Sequence, residues 1–147
     1  MSEPTKRVFE IHRVYAKDIS FESPKAPAVF KDKNRFTADV SLGTKSALLH
    51  DDFYEIVLTV TVTAKSEGTT DVVYIAEVKQ AGIFLISGFS EAELTSLLNS
   101  AAPTILFPYA REAISDLVGR GGFPQLYLSP VNFDAIYAQQ AKEQQAQ

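Results

Sequence analysis

Through the first half of the chain, hydrophobic and polar residues alternate with a period of two, which predicts half-buried β-strands. From Phe9 to Phe21 one parity carries Phe9, Ile11, Tyr15, Ile19 and Phe21 with Arg13 and Lys17. The other runs from Glu10 through His12, Val14 and Ala16 to an acidic end at Asp18 and Glu22. A second strand follows from Phe36 to Leu42, with Phe36, Ala38, Val40 and Leu42 on one face. In the third, Tyr54, Ile56, Leu58, Val60 and Val62 face Glu55, Val57, Thr59, Thr61 and Thr63, and threonine suits an outer strand face because its branched Cβ favours extended backbone. A turn at Ser66-Glu67-Gly68 leads into a fourth strand, from Val72 to about Phe84, as a hairpin. Both parities of that strand are apolar, which predicts burial on both sides, including by another subunit. Between the first two strands, Ser23 to Asn34 holds Pro24 and Pro27 and is too long for a tight turn, so it is read as a crossing loop.

After Gly88 the period becomes helical. Ser90 and Glu93 form a capping box, followed by Leu94, Leu97, Leu98 and Ala101 at helical spacing, and Pro103 is expected to end this helix. Pro108 suits the first position of a second helix bearing Ala110, Ala113, Ile114, Leu117 and Val118, closed by Gly119. A third is predicted from near Asn132, with Phe133, Ile136 and Tyr137 on one side. The whole reads as a single domain over residues 1–147, with flexible tails at about 1–6 and 139–147. The class is α+β: a four-stranded antiparallel sheet over about residues 8–84, then helices packed on one side.

Composition narrows the chemistry. With no cysteine, disulfides and thiolate nucleophiles or ligands are excluded, and two histidines are too few for an ordinary zinc site. The net charge of -4 argues against nucleic acid as a partner. No run is long and apolar enough for membrane insertion, and "MSEPTKRVFE" lacks the apolar stretch of a secretory signal, so a cytoplasmic location is expected. His12 and His50 have no adjacent nucleophile, Asp51-Asp52 reads as a turn, and Gly119, Gly121 and Gly122 follow a helix where a phosphate loop would open one. No catalytic residue or cofactor is indicated. One feature is left over: Ile105 to Phe133 crowds apolar and aromatic side chains around prolines and glycines, either as core connections or as the lining of a groove.

Five strings carry a resemblance: "YAKDISFESPKAP", "YEIVLTVTVTA", "GIF", "ILFPYARE" and "GFPQLYLSPVNFDA". Spread in order over about Phe9 to Tyr137, they closely resemble the SecB family of bacterial protein-export chaperones. The resemblance implies a homotetramer, built as a dimer of dimers, that holds unfolded precursor proteins without ATP and delivers them to the SecA motor ATPase. It implies a client groove lined by Val40, Leu42, Phe107, Tyr109 and Tyr137, and a SecA contact at Asp18, Glu22, Ile75 and Glu77. It also implies a contact between dimers at Ala76, Val78 and Gln80. The Gln/Ala-rich tail departs from the acidic tails of many family members. A different class of function, a small-molecule carrier or enzyme with an aromatic pocket, would instead require a closed cavity with convergent polar groups.

Overall fold

The computed structural model describes residues 6–31 and 35–146. Residues 1–5 and 147 of the expected tails, and 32–34 of the crossing loop, lie outside the described residues. Four long strands, β1 (Val8–Glu22), β2 (Phe36–His50), β3 (Phe53–Ser66) and β4 (Val72–Ser87), form one antiparallel sheet in the order β1-β4-β3-β2. β1 and β2 therefore lie at opposite edges, and the Pro24–Pro27 segment crosses between them as expected. β2 runs on to His50, well past Leu42, because an edge strand needs only its backbone to pair and its second half, Leu48 and Leu49 included, is left facing water. Asp51 and Asp52, with φ of 45° and 68°, make the two-residue turn into β3, a conformation that aspartate tolerates better than most residues.

Two irregularities in β1, at His12 and at Lys17, change the reading of its faces. Each inserts one residue without a partner, so the side-chain alternation shifts twice. Phe9, Ile11, Val14, Ala16, Ile19 and Phe21 pair with helix-side positions of β4, whereas Arg13, Tyr15, Asp18, Ser20 and Glu22 pair with the opposite face. A single period-two face cannot describe this strand.

The helical layer also differs from the expected pair of helices. The capping box forms as predicted, with the Ser90 hydroxyl accepting from the Glu93 N–H at 3.2 Å and the Ser90 N–H donating to the Glu93 carboxylate at 3.2 Å. The helix α1 (Glu91–Ser96) then passes through a π turn (Leu97–Ala101) directly into α2 (Ala102–Arg120), so Pro103 ends nothing and Pro108 lies inside a helix. Pro103 has no N–H for the Asn99 carbonyl. Instead the ladder widens, with the Ala102 N–H donating to the Leu97 carbonyl. Side chains satisfy neighbouring carbonyls: Asn99 Nδ2 donates to Thr95 O and Thr104 Oγ1 to Ser100 O, each at 2.7 Å. At the far end Gly122, at φ 87°, adopts the left-handed conformation, and the Phe123 N–H reaches back to Val118 O at 3.2 Å. The Gln/Ala-rich run, over residues 139–146, belongs to α3 (Phe133–Ala146) and is helical.

α2 lies across β3 and β4. Leu106, Phe107, Ala110, Ile114 and Val118 pack on Ile56, Leu58, Val60 and Val62 of β3 and on Tyr74, Ala76, Val78 and Phe84 of β4, all buried. Close approach depends on Gly82. A Cβ there would lie 2.7 Å from the Phe84 ring and 3.1 Å from Leu106 Cδ2. The outer half of β4, Ile75, Ile83 and Leu85, is only half-buried, so its second apolar face is covered by no element of this chain. Gly82→Ala is expected to cost about 1–3 kcal/mol of stability through overpacking, seen as a lower denaturant midpoint at constant slope. An unchanged midpoint would mean that α2 does not press on the sheet here.

Candidate functional site

A cleft of about 90 Å³ opens where the middle of β2 faces α3 and the π turn. Leu42, Gly43 and Thr44 form one wall, Phe133, Ile136 and Gln140 the other, and Asn99 closes the end. Phe133 is buried and meets the Phe107 ring edge to face at 5.9 Å, so Phe107 is the floor beneath this wall and is itself only 6% exposed. Leu42 and Phe107 are thereby brought to one place. Val40 is on the same side of the sheet, two residues along β2, and half-exposed. Tyr137, on α3 beside Ile136, is partly buried.

Tyr109 does not join them. In a continuous helix, two residues correspond to about 200° of rotation, so with Phe107 facing inward Tyr109 faces outward, 51% exposed. The sequence reading did not anticipate Phe133 as a wall of this cleft, nor the exposed apolar pair Leu48 and Leu49 at the far end of β2, 62% and 47% exposed. Their signal was an apolar pair just before the His50-Asp51-Asp52 turn. A second hollow of about 320 Å³ lies on the other side of Phe133, between Thr104 and Pro130.

On the opposite face of the sheet the β1–β4 register sets Asp18 against Lys79, Ser20 against Glu77 and Glu22 against Ile75. Asp18, Glu22, Ile75 and Glu77 thus lie together on one uncovered surface, where the Thr61 hydroxyl donates to Glu77 at 2.8 Å. Towards the other end of the same face, Glu55 accepts from Lys17 Nζ at 2.8 Å and from the Tyr15 hydroxyl. The bond from Lys17, followed by that from Tyr15, holds the Glu55 carboxyl below the usual carboxylate range. Partial burial, then the Glu55 carboxylate, pushes the Tyr15 hydroxyl up to about 12. Ala76, Val78 and Gln80 lie on the helix side instead, at 0%, 0% and 6% exposure. The Ala76 and Val78 side chains belong to this chain's own core, which includes α2.

The family model described as "Preprotein translocase subunit SecB" matches residues 2–144. Among curated relatives, the protein-export protein SecB of Methylococcus capsulatus is 50% identical over 99% of this chain and 94% of its own length. That of Histophilus somni is 48% identical over 97% of this chain and 84% of its own. The chain belongs to the SecB family of protein-export chaperones, which are not enzymes. In fold it is similar to a SecB-like chaperone of Mycobacterium tuberculosis solved with a ChAD peptide from an antitoxin. The TM-score is 0.71 at 21% identity, covering 84% of this chain and 91% of that one. Among the described residues, no helix is long and apolar enough to cross a membrane.

Because the Glu55 pKa is depressed in the folded state, its contribution to stability is complete above the unfolded carboxylate pKa and disappears as pH falls through the lower folded value. Glu55→Gln should therefore flatten the acid limb of the stability curve below about pH 4.5. Thermal denaturation across that range checks it, and parallel curves for both proteins would show that Glu55 is not held as described.

Proposed function

We propose that this chain is an ATP-independent holdase that takes non-native precursors along the helix side of β2 and passes them to SecA from its acidic outer face. The observation that carries the reading is the open cleft between Leu42 and α3. Its volume of about 90 Å³ suits a single aliphatic side chain. Val40 to one side and Leu48 to the other, exposed on the same side of β2, support an extended ligand contacted at several points. That the mycobacterial relative was solved with a peptide is in keeping with this reading.

An unfolded client offers no fixed side-chain pattern, so apolar burial and backbone contacts carry recognition. Each well-buried client side chain is worth roughly 1.5–3 kcal/mol, and several together offset the ordering of a flexible chain. At 100 times its dissociation constant such a binder shifts a client's folding balance by about 2.7 kcal/mol, whereas folded domains are stable by about 5–15 kcal/mol. The protein acts on chains that have not yet folded. It works in the cytoplasm as a homotetramer, a dimer of dimers. Ala76, Val78 and Gln80 serve that assembly from beneath, by holding α2 against the sheet.

Purified protein should slow refolding of a destabilised precursor and suppress its light scattering, and no effect on either would refute the holdase. Leu42→Ala should weaken client binding about tenfold, from the loss of one apolar contact. Reversal of Asp18 and Glu22 to lysine should reduce SecA binding and leave client holding unchanged. Simultaneous loss of both activities would indicate misfolding.

A further inference from the structure

Ser100 is one of two buried polar residues among the described residues, at 2% exposure, and its hydroxyl donates to the carboxylate of Asp134. This bond ties the π turn to the first turn of α3. A polar group so deeply buried must be paired, since leaving it unpaired costs the full desolvation of the group. α3 is fastened at only a few points. Asn132 caps it, accepting from the Ala135 N–H at 3.0 Å, and Phe133 seats on Phe107. Beyond these, α3 meets the rest of the chain chiefly at the π turn, and Ile136 is 39% exposed.

The cleft wall, however, extends to Gln140, seven residues past Phe133 and about 10 Å farther along the helix axis. The separation between Gln140 and β2 is then governed by the angle at which α3 leaves its first turn. Phe133 alone, a single ring in a socket, leaves rotation about itself open. Ser100 and Asp134 supply a second, directional fastening. The π turn places it there, because a turn with one additional residue rotates Asn99 and Ser100 relative to a regular helix.

We propose that Ser100 and Asp134 are a positioning pair that sets the width of the cleft between β2 and α3, and with it the affinity for client side chains. This rests on the client-groove reading above. Touching no client themselves, they act through Phe133, Ile136 and Gln140.

The test compares Ser100→Ala, Asp134→Ala and Asp134→Asn in the full chain, following amide hydrogen exchange over Phe133–Gln140 and binding of a fluorescently labelled, urea-unfolded secretory precursor. Ser100→Ala and Asp134→Ala should each speed α3 exchange and weaken client binding by about tenfold, with unchanged exchange in β3 and β4. Asp134→Asn keeps an oxygen acceptor and should stay within about threefold of wild type on both. Wild-type exchange in both alanine variants would overturn the pair, and faster exchange with unaltered client affinity would overturn its control of the cleft. A wild-type protein that binds no precursor would overturn the groove reading instead, while exchange still decides whether the pair holds α3. Asp134→Ala, at an exposed position, guards against a variant that fails through core disruption.

Discussion

A shortage of helix governs this structure. Strands of 14–16 residues extend for about 50 Å, while the 19 residues of α2 span about 28 Å. The helical layer seals the inner side of β3 from Ile56 to Ala64 and of β4 from Tyr74 to Ile86, and leaves much of the two edge strands uncovered. The apolar residues of β1 and β2 on the same side, among them Ile11, Ile19, Val40 and Leu48, stay open to solvent as a geometric consequence. In most small domains such residues would be a liability for association. Here Val40 and Leu48 lie along β2 to either side of the cleft toward α3, whereas Ile11 and Ile19 lie on β1 at the opposite edge.

The same constraint separates two surfaces. Helices occupy one side of the sheet, so the other carries threonines, paired charges and half-buried aliphatics. On the proposed reading, clients and an export partner would engage opposite sides of one layer. The cleft and the acidic face lie on opposite sides of the sheet, so the two proposed contacts would not compete for the same surface.

Much of the sheet was readable because period two is a direct imprint of the pleat: the Val/Thr alternation of β3 lies on the faces the sequence implied. β1 was misread because a bulge leaves no compositional mark, and His12 and Lys17 resemble their neighbours. The helices were misread at proline. Local rules treat Pro103 and Pro108 as boundaries, but a π turn and the burial of α2 against β3 and β4 outweigh two missing hydrogen bonds. Phe107 and Tyr109, both implied for the groove by the family resemblance, face different ways because the helix runs through Pro108 without a break. Leu42 was implied by the resemblance and lines the cleft; Phe133 lines it too, but its place there depends on where α3 lands.

The irregularities of β1 have a bearing on how this chain can change length. Loss of the unpaired residue at His12 or at Lys17 would simply regularise the ladder and leave every remaining side chain on its present face. β3 has no such slack between Phe53 and Ala64. A deletion there would turn part of its valine row toward water and its threonines toward α2, so insertions and deletions can accumulate along the rim of this sheet but not through its centre.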